Sequence, residues 1–249
     1  MSGEEATYLV EAARGAFPGL ELRVSDAVSS YAGVRPVVGT GAADPSKESR
    51  EHVIWNERGL LTVTGGKLTT FRTIARDALR ALEHAQPSLR RRVDEGRRFF
   101  GSVAAIPTRL DALTRRRLEG RYGPWANALC RAAGEGELKR VSDTYTVWAE
   151  LRWAARAERV VHLEDLLLRR VRLGLVLPEG GREQLPRVRA VCQEELGWDD
   201  RRWAEEEERY LDAWQRHHKA PPVAAKASAP VSPVRAAAPA LRPREHGLQ

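Results

Sequence analysis

The run Leu60-Leu61-Thr62-Val63-Thr64-Gly65-Gly66 constrains this chain more than any other stretch. A short apolar run with β-branched residues reads as a buried strand. It passes directly through two glycines into a periodic segment. There Leu68, Phe71, Ala75, Ala78 and Leu82 fall on one helical face, with Arg72, Arg76, Arg80 and Glu83 opposite. Pro87 ends that helix. This part of the chain is therefore mixed strand and helix.

Upstream, residues 4–17 read as a helix closed by Pro18-Gly19. Residues 27–38 are β-rich, with Pro36 confining them to a sheet edge or a loop entry. Residues 39–49 read as a loop, and strands over 51–56 and 60–64 flank Glu57-Arg58-Gly59 as a hairpin. Beyond residue 100 the pattern is helical, with helices expected over 108–122, 125–133, 145 to about 173, 183–196 and 199–217. The long one takes its cap from Ser142, Asp143 or Thr144. In the last, Trp203, Glu207, Tyr210, Trp214 and His217 share one side, the pattern of a packing face. Residues 220–249 hold six prolines, nine alanines and no large aromatic, too little apolar surface to offset the entropy of ordering. The expected organisation is α+β: a mixed region over 1–100, an all-helical domain over 101–219 and a disordered tail over 220–249.

The net charge is 41 − 34 = +7, of which the tail supplies +3. A body of +4 gives no reason to invoke nucleic acid. No run approaches the ~18–20 apolar residues of a membrane span, and Met1-Ser2-Gly3-Glu4-Glu5 has neither the basic nor the apolar part of a signal peptide. A cytoplasmic protein is expected. Cys130 and Cys192 form no C-x-x-C, the six histidines form no H-E-x-x-H, and no G-x-S-x-G elbow exists. Metallohydrolase and serine hydrolase chemistry have no support.

Gly65-Gly66-Lys67-Leu68-Thr69-Thr70 is the candidate site. A helix start leaves backbone N–H groups unpaired and carries partial positive charge, and glycines let an anionic or electron-rich group approach. Lys67 adds an ammonium. Phosphate, carboxylate or the carbonyl edge of a flavin would suit this pole, and a plain Gly-Gly turn would fit the same residues. It is not a Walker A loop, because Leu68 follows Lys67 and Leu61 stands where the first glycine belongs. Arg35 and Arg50 lie near strand ends, where guanidinium groups suit phosphate or carboxylate; in a chain so rich in arginine, solvated surface charges are the alternative. His52 reads as a structural histidine on a strand, with acid–base work as the other choice. Gly39-Thr40-Gly41 has Asp44 where a dinucleotide fingerprint needs its third glycine.

Three blocks then occur in order: Ser29-Ser30-Tyr31-Ala32-Gly33-Val34-Arg35-Pro36, Ser49-Arg50-Glu51-His52, and Leu61-Thr62-Val63-Thr64-Gly65-Gly66-Lys67-Leu68-Thr69-Thr70-Phe71-Arg72. Together they closely resemble the FAD-dependent glycerol-3-phosphate dehydrogenases. Leu151-Arg152-Trp153-Ala154, the run from Leu166 to Leu173, Leu196-Gly197-Trp198 and Trp203 look like that family's C-terminal helical domain. The resemblance implies that Arg35, Arg50 and Lys67 hold the glycerol 3-phosphate, with Lys67 and Arg35 at the reacting end. It implies also that Gly65, Gly66, Lys67, Leu68 and Thr69 face the pyrimidine edge of FAD, where positive potential stabilises the reduced ring. Family members open with a βαβ unit bearing G-x-G-x-x-G, which has no counterpart in this sequence. The resemblance thus implies a C-terminal portion, inactive alone, that depends on a complementing N-terminal FAD-binding chain, with peripheral contact to a membrane and its quinones. The alternative is a non-catalytic remnant whose helical domain binds a partner or a membrane surface.

Overall fold

The computed structural model describes residues 1–33, 51–89, 106 and 110–222. The expected tail beyond residue 222 and the expected domain boundary at 100/101 lie outside these residues. The chain divides into two compact units, Met1–Ala27 with Ala220–Gln249, and Val28–Lys219. In the first, helix α1 spans Gly3–Ala16. Its start is capped reciprocally: Glu5 N–H donates to Ser2 Oγ at 3.2 Å and Ser2 N–H to Glu5 Oε2 at 2.7 Å. A 3₁₀ turn over Val24–Asp26 follows.

The second unit contains two contrasting regions. Strands β1 (His52–Glu57) and β2 (Leu60–Gly65) pair antiparallel, with His52 opposite Gly65 and Glu57 opposite Leu60. The two loop residues, Arg58 and Gly59, both have positive φ, at 53° and 85°, which gives the turn a twist that matches the strands. A 3₁₀ turn over Leu68–Thr70 leads into α2 (Phe71–Ala85), which packs on both strands. The expected apolar face is only partly used. Ile74, Ala78 and Leu82 are half-buried, whereas Leu68 is 89% exposed and Phe71 48%. Leu68 sits in the 3₁₀ turn, whose period of three puts it out of phase with the α-helix behind it.

Of the two alternatives for residues 27–38, residues 27–33 take the loop rather than the strand, and 34–38 lie outside the described residues; the polar groups of Ser29 and Ser30 are used elsewhere. Ser30 N–H donates to His218 O at 2.7 Å, Ser30 Oγ to Lys219 O at 3.2 Å and Ser29 Oγ to Leu175 O at 2.7 Å.

From residue 110 to 219 the chain is helical: α3 (Ala112–Tyr122), α4 (Ala126–Ala132), α5 (Trp148–Ala157), α6 (Leu173–Val176), α7 (Leu185–Leu196) and α8 (Asp200–His217). The single helix expected over 145–173 is instead α5, a π-helical segment over Asp165–Arg170 and α6. Left-handed residues interrupt it, Arg159 at φ 51° and Arg172 at φ 59°. Asp165 restarts the chain by accepting from the N–H groups of Val161 and His162 at 3.2 and 2.9 Å.

Two apolar cores hold this region. One gathers Leu151, Leu163, Leu166, Leu173 and Leu185 against Trp203, Tyr210 and Trp214; the other gathers Leu118, Tyr122, Leu129 and Val147. The aromatic side of α8 is the packing face expected of it. Its polar atoms are satisfied by glycine carbonyls: Tyr210 OH donates to Gly180 O at 2.5 Å and Trp214 Nε1 to Gly174 O at 2.7 Å. Gly180 has φ 70°, and a Cβ there would lie 2.8 Å from Trp214 Cγ, so only glycine fits.

Buried charge is also paired. Glu150, fully buried, accepts from Val147 N–H and Tyr122 OH, each at 2.9 Å, and meets Arg117 and Arg121. Burial, reinforced by the Glu150 charge, pushes the Tyr122 hydroxyl far above its ordinary range. Glu137 takes both forks of Arg152 at 2.6 and 2.7 Å, and Arg152 continues to Glu195, which also binds Arg156. No helix among the described residues is long and apolar enough to cross a membrane.

Candidate functional site

The Gly65–Thr70 turn sits where β2 ends and α2 begins. Both glycines have positive φ, 76° and 82°. A Cβ on Gly65 would stand 2.6 Å from the Glu51 carbonyl oxygen, and one on Gly66 would stand 2.5 Å from Ile74 Cδ1 and 3.3 Å from His52 Cβ. Backbone packing against β1 therefore demands Gly65, whereas Gly66 is required by its positive φ, the facing Ile74 methyl being free to shift. What remains open is the far side of the turn.

There the residues from Lys67 to Thr70 are all exposed. Thr70 N–H donates to Lys67 O at 3.0 Å and Phe71 N–H to Leu68 O, so these are the first bonded donors of the helix. The N–H groups of Leu68 and Thr69 consequently have no acceptor within the helix. Thr70 Oγ1 is spent inside the turn, donating to Lys67 O at 2.9 Å and accepting from Lys67 N–H at 3.3 Å. An exposed lysine beside two amides that the helix leaves unbonded forms a positive pole suited to an anionic or carbonyl-bearing group. This donor set fits the pyrimidine edge of a flavin, which presents carbonyl oxygens and a ring nitrogen.

Behind the turn, His52 Nε2 lies 3.2 Å from Asp77 Oδ2, and Asp77 also meets Arg80 at 3.4 Å. The imidazole is thus held by a carboxylate from α2. Sequence reading had weighed His52 alone, and its partner, 25 positions away, carries no motif that announces it. Gly65, Gly66, Lys67, Leu68 and Thr69 come together in one turn, as adjacent residues must. Arg35 and Arg50 lie outside the described residues. No group of three or more His, Cys, Asp or Glu that could hold a metal ion is present among the described residues.

The sequence matches the family model of the C-terminal domain of alpha-glycerophosphate oxidase over residues 66–203. That stretch takes in the Gly66-Lys67 turn, α2 and the helical region as far as Trp203. Glycerol-3-phosphate dehydrogenase 2 of Mycobacterium tuberculosis is 32% identical over 184 residues, which are 68% of this chain and 32% of the relative. Glycerol-3-phosphate dehydrogenase 1 of the same organism is 33% identical over 194 residues, 70% of this chain and 36% of the relative. The aerobic glycerol-3-phosphate dehydrogenase of Bacillus subtilis is 37% identical over 103 residues, 41% of this chain and 17% of its own length. The chain spans about a third of the length of the mycobacterial relatives it matches. No solved structure matches it. With the family model covering more than half of the chain, from the turn at Gly66 to Trp203, the protein belongs to the family of the C-terminal domain of alpha-glycerophosphate oxidase.

Proposed function

We propose that the chain is the C-terminal portion of an FAD-dependent sn-glycerol-3-phosphate dehydrogenase and that its Gly65–Thr70 turn serves the flavin and the substrate. The observation that carries this reading is the exposed turn in which Lys67 precedes Leu68 and Thr69, whose N–H groups the helix leaves without an acceptor. When bound, FAD supplies the acceptor for the hydride that leaves C2 of glycerol 3-phosphate. The amides of Leu68 and Thr69 hold the electron-rich edge of the ring system and favour negative charge there. Lys67 places its ammonium toward substrate and ring, and Arg35 and Arg50 hold the substrate phosphate. Gly65 and Gly66 set the path of the turn, and the His52–Asp77 pair behind Gly66 fixes its position. The pyrophosphate-binding portion and the base that takes the C2 hydroxyl proton come from a complementing N-terminal FAD-binding chain, and electrons pass on to a quinone or another acceptor at a membrane surface.

The test supplies the N-terminal two-thirds of the mycobacterial relative to the purified full chain, with FAD. Glycerol-3-phosphate-dependent dye reduction should appear only in the mixture, and Lys67→Ala should lower it by about 100-fold or more. Activity in the mixture that is indifferent to Lys67→Ala removes the assigned role of the turn.

A second reading is favoured by one observation, that the helical region is completely cored while the hairpin and α2 contain no buried residue. On that reading the chain is a non-catalytic remnant whose helical region binds a partner or a membrane surface. Absence of both flavin retention and dye reduction in the mixture would favour it.

A further inference from the structure

The C-terminal ends of α3 and α5 border a surface cavity of about 660 Å³ whose wall carries Trp125, Trp153, Glu119 and Glu158. The indole rings stand 6.3 Å apart with 36° between their planes, and Trp125 is 63% exposed. An aromatic pair left this open has a π-face available to a ligand.

Carboxylates outnumber cations in the wall, Glu119 and Glu158 against the one guanidinium of Arg121. α3 closes at Gly123 and α5 at Glu158, so two helix C-termini, each carrying partial negative charge, meet at the cavity, opposed by the one helix start that follows Trp125. Glu119 and Glu158 add two carboxylates, and neither has an ion-pair partner within 4.0 Å among the described residues. The two arginines nearest Glu158, one of them in the wall, are also tied to other acceptors. Arg121 lies 3.6 Å from Glu150, 5.5 Å from the Tyr122 ring centre and donates to the Arg170 carbonyl; Arg170 Nε donates to the Glu158 carbonyl at 2.8 Å. Burial holds the Glu158 carboxyl above its ordinary range against the opposing pull of these two arginines.

We propose that this cavity binds an organic cation, a guanidinium or quaternary ammonium group seated against the Trp125–Trp153 pair with Glu158 and Glu119 as its counter-charge. Ring quadrupoles attract such cations, and carboxylates beside them add specificity for charge over shape. The assignment is independent of the flavin site and holds whether or not the chain takes part in catalysis. The cation can arrive as a free small molecule or as an arginine side chain of a partner, and the two are separable by experiment.

Ligand-observed NMR titrations of the full chain test it, with choline, with N-acetyl-arginine amide and with the uncharged carbon isostere of choline. Saturable binding is expected from at least one cation, with a dissociation constant on the order of 1 mM, and none from the isostere. Choline binding alone identifies a free ammonium compound as the source; binding of the arginine amide identifies a protein side chain. Trp125→Ala and Glu158→Gln should each weaken the binding about fivefold or more with unchanged far-ultraviolet circular dichroism. Should Trp125→Ala disturb the fold, Glu158→Gln decides alone. No binding by either cation, equal binding of the isostere, or full affinity in Glu158→Gln would overturn the proposal.

Discussion

The hairpin with α2, residues 51–89, and the helical region from 110 to 219 bury their apolar residues to very different extents. In the first, Val53, Trp55, Leu60, Val63, Leu68, Phe71 and Leu79 are all at least 38% exposed. In the second, Leu118, Leu129, Leu151, Leu163, Leu166 and Tyr210 have no exposure at all. Both regions have regular elements with suitable sequences, so propensity does not separate them. The difference lies in the number of layers: two strands and one helix cannot enclose a core, and an isolated hairpin is marginal in water. The helical region closes around two cores and can afford buried carboxylates because donors surround them. Stability and candidate chemistry are thus placed apart among the described residues, since the turn at Gly65–Thr70 lies on elements that hold no buried residue.

The contrast breaks most sharply at Glu150. Replacing it with alanine leaves the guanidinium groups of Arg117 and Arg121, the Tyr122 hydroxyl and the Val147 amide without their acceptor. A loss of about 3–5 kcal/mol is expected in urea titrations followed at the helical region. Hydrogen exchange in β1 and β2 should be unchanged. Equal loss in both regions would mean that they unfold as one unit.

Glycines give the next contrast, because the same substitution meets different neighbours. Gly180→Ala places a Cβ 2.8 Å from the Trp214 ring at φ 70°, and a packed indole held by its hydrogen bond to Gly174 cannot move aside. A cost of about 2–4 kcal/mol follows. Gly66→Ala at φ 82° meets the terminal methyl of Ile74, which can rotate, so about 1–2 kcal/mol is expected. Thermal unfolding of the two variants orders them.

These neighbours also explain what the sequence made legible. The hairpin was readable because Arg58-Gly59 sits between two β-branched runs, and the aromatic side of α8 because Trp203, Tyr210 and Trp214 keep helical spacing. Gly65-Gly66 was readable as a turn but not in its cause, since the obstructing atoms belong to Glu51 and Ile74, one from another strand and one from the following helix. The break in the expected 145–173 helix was hidden because Arg159 and Arg172, its left-handed residues, are not turn formers. The burial of Glu150 and Glu206 was equally hidden, as their partners lie 28 to 44 positions away. Local pattern reports elements; long-range donors decide where charge can be buried.

Acid separates the regions less strongly. In the helical region hydrogen bonds from Arg152 hold the Glu137 carboxyl low, and those from Arg156 do the same for Glu195. At Glu206 burial acts upward but is outweighed by His162, the Leu163 amide and Arg202. Carboxyls held below their unfolded values stabilise the fold above about pH 4.5, and that contribution disappears as pH falls through the folded values. Glu158, held high by burial, acts in the opposite direction. With Asp111, Asp165 and Asp200 also held low, six carboxyls act against one, so the unfolding midpoint should fall as the pH drops below about 4.5.

The smallest effect tests whether the hairpin is limited by its turn or by the little apolar cover it has among the described residues. Arg58 holds φ 53° with a full side chain, a conformation that asparagine adopts more readily, and Asn-Gly is the preferred pair for this loop. Arg58→Asn should stabilise the pairing of β1 and β2 by about 0.5 kcal/mol, seen as slower amide exchange at Val53 and Trp55. If the turn were limiting, the added protection would spread into α2 through Ile74 and Ala78. The exposure of Leu68 and Phe71 argues that it stays within the strands, because no turn can supply the apolar surface that those two side chains lack.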